Sequence, residues 1–252
     1  MTTTNETDFD AALARLVSRM PIDDTPEKSM AELEAERVAA RQDRRVKAMV
    51  ALGWERRPLR LVRDPAYDES RASGYLAALR ALDDGRDGGI VVLAGNPGVG
   101  KTAAACRWAL TRAADAPRFL RAAEFFRSSR YTRADDGDRT LTRDDVLRSK
   151  ALVLDDAGAE FADASGSYRV DLDELVDRFY ADARALVITT NLVYATPRQR
   201  DEAVRAAKER GESADADVPT FTDRYGERVT DRIRECGRWV SSRGGSQRRS
   251  QP

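Results

Sequence analysis

The 252-residue chain contains no histidine and only two cysteines, Cys106 and Cys236. The missing histidines exclude catalysis by a histidine base. They also exclude a Cys/His zinc site within one chain, because such a site needs four ligands and only two thiols exist. We interpret both cysteines as reduced packing residues, which is typical of a cytoplasmic protein.

Long apolar runs and a net charge are also missing. No run reaches the ~18–20 residues that a membrane helix needs, and the first residues, MTTTNETDFD, are too polar and acidic for a signal peptide. The 43 basic residues balance 43 acidic ones. The overall charge therefore neither requires nor excludes a nucleic-acid partner. We expect a cytoplasmic protein without a membrane segment.

Residues 1–60 predict a small helical segment. Apolar residues recur at helical spacing over 9–20, and Thr25 with Pro26 begins a second predicted helix over roughly 27–52. That second helix is dense in charge and its apolar stripe is thin. Two interpretations stay open, a solvated charged helix and a helix that docks on a partner or on DNA.

From about residue 70 onward, short apolar runs alternate with helical stretches. The apolar runs are 89–95, 118–122, 151–156, 185–191 and 238–242. The helical stretches lie near 101–115, 122–130, 171–183, 197–210 and 221–236. Apolar runs without polar alternation indicate strands that are buried on both faces. The alternation predicts that residues 61–252 form a three-layer α/β/α domain around a parallel five-stranded sheet.

A glycine-rich loop joins the first predicted strand to the first helix of this domain. It reads GNPGVGKT and matches the phosphate-loop pattern G-x-x-x-x-G-K-[ST]. Its glycines let backbone N–H groups surround an anion, and the helix N-terminus adds a favourable dipole. We expect Lys101 to reach the β- and γ-phosphates of a nucleotide and Thr102 to hold Mg²⁺. The expected nucleotide-binding residues are Gly95, Asn96, Pro97, Gly98, Val99, Gly100, Lys101 and Thr102. The alternative is a structural Gly/Pro turn.

Polar residues end two further strands. ALVLDDAGAE has the form of a Walker B strand, in which Asp155 would hold Mg²⁺ and Asp156 would polarise the attacking water. ALVITTN ends at Asn191, which could orient that water against the γ-phosphate. The alternatives are carboxylates that cap the next turn and an ordinary asparagine turn.

The stretch DRYGERVTDRIRECG predicts one helix, with Tyr225, Val229 and Ile233 on one apolar stripe. It also contains two arginines that are candidates for contacting a nucleotide. Arg228 and Arg232 lie one turn apart. Either is a solvated surface arginine or reaches the nucleotide of a neighbouring subunit.

Candidate contacts to single-stranded DNA combine arginines with aromatic residues. EFFRSSRYTR, residues 124–133, is one such stretch, although Phe125 and Phe126 are better explained as packing under the sheet. The loop 158–169 is the other, and contains Phe161, Tyr168 and Arg169.

Five segments together resemble one family. GNPGVGKT, LVLDDAGAE, TTN, GERVTDRIR and GGSQRR occur in the order and spacing of the DnaC/DnaI/IstB-like branch of AAA+ ATPases, over roughly residues 70–250. The resemblance implies that Asn191 is sensor 1 and that Arg232 is the arginine finger. It also implies that Arg248 occupies the sensor 2 position.

The resemblance further implies an ATPase that uses ATP and Mg²⁺, assembles with copies of itself through the arginine finger, and is slow as a monomer. Its implied partners are a replicative DNA helicase of the DnaB type and single-stranded DNA, with the helicase contact in the N-terminal part. Two alternatives stay open. One is an IstB-like helper of a transposase on duplex DNA, and the other is a nucleotide-gated adaptor that does not hydrolyse ATP.

Overall fold

A computed structural model describes residues 29–64, 67–84, 89–112, 117–127, 130–132, 140–159 and 167–242. The predicted helix over 9–20 and the sensor 2 candidate Arg248 lie outside these residues. The chain divides into two compact units, Met1–Asp43 and Arg44–Pro252. The partner-binding role of residues 1–60 stays a prediction.

The described helices follow the sequence pattern closely in the second half of the chain. In chain order they are α1 (Met30–Ala51), α2 (Arg56–Arg63), α3 (Ser73–Asp84), α4 (Lys101–Thr111), α5 (Ala122–Arg127), α6 (Arg143–Leu147), α7 (Ser167–Ala181), α8 (Pro197–Glu209), α9 (Phe221–Tyr225) and α10 (Glu227–Cys236). A short 3₁₀ helix, Glu69–Ala72, precedes α3. No described helix is long and apolar enough to cross a membrane.

Five parallel strands form the main sheet, as predicted. They are β1 (Gly89–Gly95), β2 (Arg118–Arg121), β5 (Ala151–Ala157), β6 (Ala185–Thr190) and β7 (Gly237–Ser242). Their order across the sheet is β2-β5-β6-β1-β7. Two short strands, β3 (Arg130–Thr132) and β4 (Thr140–Thr142), pair separately as an antiparallel hairpin.

The sheet is covered on both faces, which confirms the three-layer prediction. Alternate side chains of a strand point to opposite faces, so Val91 and Leu93 pack into one core while Ile90 and Val92 pack into the other. The first core is covered by α2, α3, α4 and the end of α1. The second is covered by α5, α6, α7, α9 and α10. Burial on both faces explains why the central strands β1, β5 and β6 carry long apolar runs.

The predicted single helix over 221–236 is wrong in one respect. Gly226, at φ 94° and ψ 164°, separates α9 from α10. An L-residue rarely adopts this backbone conformation, and glycine admits it without a side-chain clash. The predicted stripe nevertheless faces inward, since Tyr225, Val229 and Ile233 are all buried.

The segment that follows α1 is attached to the edge of the sheet. Phe119 of β2 donates a backbone hydrogen bond of 3.1 Å to the carbonyl of Leu52. The Trp54 indole is 1% exposed, packs on the Phe119 ring at 4.9 Å, and donates to the carbonyl of Pro117 at 2.8 Å. Residues 52–55 are therefore fixed against β2.

Candidate nucleotide site

The glycine-rich loop lies between the end of β1 and the start of α4. Gly95, Gly98 and Gly100 all have positive φ, at 150°, 86° and 95°. A Cβ on Gly95 would lie 2.3 Å from the Ser242 carbonyl oxygen and 2.8 Å from the Tyr75 hydroxyl. The first glycine is therefore required by close packing as well as by its backbone angles. Ligands bind at the carboxyl ends of parallel strands, and β1 ends here beside β6 and β7.

Lys101 is buried under this loop. Its ammonium donates to the carbonyl oxygens of Gly95 at 2.8 Å and Asn96 at 3.1 Å, and to Oδ1 of Asn191 at 2.9 Å. These acceptors are neutral oxygens. Phosphate oxygens carry negative charge, so their Coulombic attraction to the ammonium is stronger than that of these neutral acceptors. The position of Lys101 thus suits a residue that transfers its hydrogen bonds to a bound phosphate.

Asp155 is a buried residue near the end of β5, and its carboxylate accepts hydrogen bonds from two hydroxyl groups. Thr102 Oγ1 donates to its Oδ1 at 2.8 Å, and Thr189 Oγ1 donates to the same oxygen at 2.7 Å. Burial raises the pKa of the Asp155 carboxyl above its ordinary value, the two threonine hydrogen bonds oppose that rise, and the charges of Asp156 and Glu55 add to it. Asp155 is therefore a costly buried carboxylate at the sheet edge, which is a frequent feature of functional sites.

Asp156 turns away from the strand because the backbone is irregular at this point. The β5–β6 register shifts between Leu154 and Ala157, so that β5 has one extra residue. Asp156 itself has φ 60°, a conformation that aspartate tolerates better than most residues. Its N–H donates to Thr189 Oγ1 at 2.9 Å, and its exposed carboxylate accepts from the Asn191 amide at 2.9 Å. The bulge thus aims Asp155 and Asp156 in different directions.

These residues fit a divalent metal bound with a nucleotide. The Thr102 hydroxyl and the Asp155 carboxylate are hard oxygen donors that lie 2.8 Å apart. Mg²⁺ prefers such donors and usually shares them with substrate phosphates. The structure therefore brings together the two predicted metal ligands and, beside them, Lys101, Asp156 and Asn191.

The two candidate arginines of α10 lie on a different surface. Arg232 Nε donates to Oδ1 of Asp177 at 3.2 Å, and its guanidinium stacks 4.6 Å from the Tyr180 ring. Arg228 pairs with the same Asp177 and, at 3.1 Å, with Asp173. Asp173, Asp177 and Tyr180 all belong to α7. Within one chain, both arginines are therefore held by carboxylates of the neighbouring helix.

The aromatic DNA candidates that the structure describes are mostly internal. Phe125 is buried and Phe126 packs against the same core, as expected. Tyr168 is also buried, beside Tyr225 at 6.1 Å. Arg169 donates to the carbonyls of Asp223 and Arg224, both at 2.9 Å. Tyr168 and Arg169 thus anchor α7 to α9, which argues against a DNA-binding role for this pair. Phe161 lies outside the described residues.

The sequence alone assigned no individual role to three residues beside the site, although Thr189 belongs to the predicted polar strand end. Thr189 joins Asp155 to Asp156 by side-chain and backbone hydrogen bonds. Arg121 ends β2 and is the register partner of Asp155. Glu55 forms an ion pair with Arg121. The sequence signal for Thr189 and Arg121 is a polar residue at a strand end, whereas Glu55 comes from a distant segment and has no comparable signal.

Comparisons with known proteins found a matching family and several similar solved structures. The family described as IstB-like ATP binding protein matches residues 12–206. A comparison with curated proteins found no match. Among solved structures, the crystal structure of the DnaC helicase loader is similar with a TM-score of 0.49 and 20% identity, over 73% of this chain and 98% of that chain. The crystal structure of the DnaI has a TM-score of 0.47 and 19% identity, over 75% and 94%.

Proposed function

We propose, from the premise that this chain belongs to the IstB-like ATP binding proteins, that it is a Mg²⁺-dependent ATPase completed by a second copy. In the full proposal, it loads a replicative DNA helicase onto single-stranded DNA. One observation carries the ATPase part. Thr102 with Asp155 and Asn191 with Asp156 form two hydrogen-bonded pairs at the mouth of the phosphate loop, at 2.8 Å and 2.9 Å.

Each of these residues has a distinct role in hydrolysis. Lys101 and the loop N–H groups bind the β- and γ-phosphates, while Thr102 and Asp155 hold the metal. Bound Mg²⁺ supplies positive charge that neutralises the phosphate oxygens. Asp156 accepts a hydrogen bond from the attacking water, and Asn191 orients that carboxylate. The water oxygen then bonds to the γ-phosphorus and gives a proton to the Asp156 carboxylate, while the bond between the γ-phosphorus and the β–γ bridging oxygen breaks. The products are ADP and phosphate, and the proton passes from Asp156 to the released phosphate or to solvent.

The second copy would supply Arg232. Among the described residues, Arg232 forms ion pairs with Asp177 of α7 at 3.2 Å and with Glu235 of α10 at 3.8 Å. Such a residue is suited to act on a neighbouring nucleotide, whose phosphates would replace Asp177 as its counter-ion. Comparable arginine fingers contribute ~10³–10⁵ in rate. A lone protomer would therefore hydrolyse ATP slowly. Arg248, the proposed sensor 2, would act with Arg232 on the same phosphates.

The helicase and DNA parts rest on the motifs GERVTDRIR and LDDAGAE, which resemble helicase loaders. The N-terminal segment, residues 1–60, would contact the helicase. Within this segment, residues 30–43 belong to the exposed part of α1, where Met30, Leu33 and Val38 are exposed to solvent. Such a helix is available for docking.

Two measurements test the proposal. In the first, steady-state ATP turnover should rise on addition of single-stranded DNA. In the second, this protein is immobilised and should retain a hexameric replicative helicase from the same cell in the presence of ATP but release it in ADP. Turnover that stays at background while ATP still binds would refute the enzyme and favour a nucleotide-gated adaptor. Equal retention of the helicase in ATP and in ADP would refute nucleotide-controlled loading.

A transposition helper is the second candidate, because the matched family is described by its likeness to IstB. The ATPase chemistry would be the same, but duplex DNA and a transposase would replace single-stranded DNA and the helicase. Turnover that responds to duplex DNA, together with copurification of a transposase, would favour this candidate.

A further inference from the structure

Glu55, Arg121 and Asp155 lie next to one another on one face of the sheet. Arg121 and Asp155 are register partners on the adjacent parallel strands β2 and β5. Paired residues of neighbouring strands point to the same face. Glu55 forms an ion pair with Arg121, and its charge also acts on Asp155. A cation therefore lies close to both the proposed metal ligand and a second carboxylate.

Glu55 is held in place by its neighbours in the chain. The adjacent Trp54 is buried and donates to the Pro117 carbonyl at 2.8 Å, which fixes this segment against β2. Glu55 occupies the N-cap position of α2, yet its side chain forms no capping hydrogen bond. An N-cap side chain commonly accepts from the first turn of its helix. Here the carboxylate extends to Arg121 instead.

Arg121 carries a permanent charge and has three carboxylates within electrostatic reach, those of Glu55, Glu124 and Asp155. Of these three, only Glu55 forms an ion pair with it among the described residues. If Glu55 released the guanidinium, the buried carboxylate of Asp155, the register partner of Arg121, would be available to accept it. A guanidinium bound there would compete directly with a divalent cation.

We infer that Glu55 is a positioning residue that holds Arg121 away from Asp155 and so keeps this carboxylate available to a divalent cation. The inference rests on the proposed nucleotide and metal site. It adds two residues that the phosphate-loop motifs do not contain. It also makes the strength of metal binding depend on residues 52–55, which precede the ATPase motifs in the chain.

The test compares the affinity for a fluorescent ATP analogue in MgCl₂ with the affinity in EDTA. The wild-type ratio measures how much the metal strengthens nucleotide binding, and Thr102→Ala provides the reference for its loss. Glu55→Gln should lower the ratio about threefold or more, with the EDTA affinity unchanged. The double variant Glu55→Gln/Arg121→Gln should restore it, because the competing cation is then gone.

Two control variants separate this effect from a general change of charge. Glu124→Gln removes a carboxylate near Arg121 without breaking the ion pair, and Glu69→Gln breaks an ion pair of similar exposure with Arg107. Both should keep the wild-type ratio. An exposed ion pair contributes little to stability, so unfolding of the Glu55→Gln protein should not explain a change.

Two results would overturn the inference and leave the proposed function intact. One is a Glu55→Gln ratio equal to that of the wild type, and the other is a double variant no better than Glu55→Gln alone. A wild-type chain that binds the analogue equally in MgCl₂ and EDTA would instead refute the metal site, and the inference with it.

Discussion

The Lys101 ammonium lies 2.9 Å from the side-chain oxygen of Asn191, although 90 residues separate them in the chain. The contact exists because β1 and β6 are parallel neighbours, with Ala94 paired to Thr190 at their carboxyl ends. The amide nitrogen of Asn191 donates a hydrogen bond to the Asp156 carboxylate at 2.9 Å. The proposed phosphate-binding cation and the proposed water-orienting carboxylate are therefore linked through a single side chain.

Lys101→Ala should abolish nucleotide binding. The substitution removes a buried cation whose hydrogen bonds to Gly95, Asn96 and Asn191 hold it at the loop. Charge-assisted hydrogen bonds to phosphate are the strongest that this loop can offer. Titration with a fluorescent ATP analogue measures the loss. Lys208→Ala, at an exposed lysine of α8, is the matched control and should bind normally. An unchanged affinity for the Lys101→Ala protein would refute the phosphate cradle.

Asp156→Asn should keep nucleotide binding and lose turnover by at least about 10²-fold. Asparagine tolerates the positive φ of this position as well as aspartate does, so the bulge should survive. The amide cannot accept a proton or polarise water as a carboxylate does. Phosphate release measures turnover, and the fluorescent analogue measures binding. Retained turnover would remove the role assigned to Asp156.

The fold could be predicted from the sequence because burial dominates it. The central strands β1, β5 and β6 are covered on both faces, so their apolar runs are nearly as long as the strands. The predicted bounds of the five strands differ from the observed ones by at most one residue. Helix α2 was missed because only Leu59 and Val62 are buried in a short, arginine-rich segment. Two buried positions are too few to establish a helical period.

The site was predicted only as far as its motifs extend. Glycine spacing and strand-end carboxylates are local signals, and they identified Lys101 and Asp155. The bulge at Asp156 depends on the pairing of β5 with β6, and no local sequence preference predicts it. The ion pairs Arg232–Asp177 and Arg121–Glu55 join residues that are 55 and 66 positions apart. Such contacts are set by helix and strand packing, which single-sequence patterns do not specify.

Arg232→Ala should spare ATP binding and lose stimulated hydrolysis, by about 10³-fold or more if Arg232 acts as an arginine finger. Mixing the Arg232→Ala and Asp156→Asn proteins should restore part of the turnover. In a mixed assembly, the Arg232→Ala protein supplies a nucleotide site with an intact Asp156, and a neighbouring Asp156→Asn subunit supplies the intact Arg232. Phosphate release at several mixing ratios measures the rescue.

Arg228→Ala is the matched control for this experiment. Arg228 pairs with the same Asp177 but lies one turn earlier on α10. Its loss removes a similar charge and a similar contact to α7, so stimulated hydrolysis should stay close to wild type. If no mixture of the Arg232→Ala and Asp156→Asn proteins recovers turnover, the proposal that subunits share the site is wrong.

Gly95→Ala should destabilise the chain by about 2 kcal/mol or more. The added Cβ would meet the Ser242 carbonyl oxygen at 2.3 Å, and the residue has φ 150°. Gly74→Ala is the opposite case, because Gly74 lies in helix α3 with nothing within 4 Å of the added atom. It should be neutral or stabilising by about 0.5–1 kcal/mol. Urea unfolding measures both changes, and equal stabilities would contradict the packing at Gly95.

Asp155→Asn should raise the melting temperature in the absence of metal, by roughly 2–4 °C. Burial raises the pKa of the Asp155 carboxyl, because the ionised carboxylate is less stable in the protein interior than in water. A neutral asparagine removes this unfavourable contribution to the free energy of folding. The asparagine oxygen can still accept from Thr102 and Thr189, which donate at 2.8 Å and 2.7 Å in the wild type. The same substitution should abolish the strengthening of nucleotide binding by Mg²⁺.

The pH dependence of this gain follows from the direction of the shift. With its folded-state pKa raised, Asp155 binds more protons in the folded than in the unfolded chain over the interval between the two values. Wild-type stability therefore falls as the pH rises through that interval, whereas the asparagine variant lacks this loss. The gain should be present at neutral pH and vanish below the ordinary pKa of aspartate. Thermal unfolding at both pH values measures it, with the exposed Asp156→Asn as control. A lower melting temperature for Asp155→Asn at neutral pH would show that the threonine hydrogen bonds outweigh the cost of burying the charge.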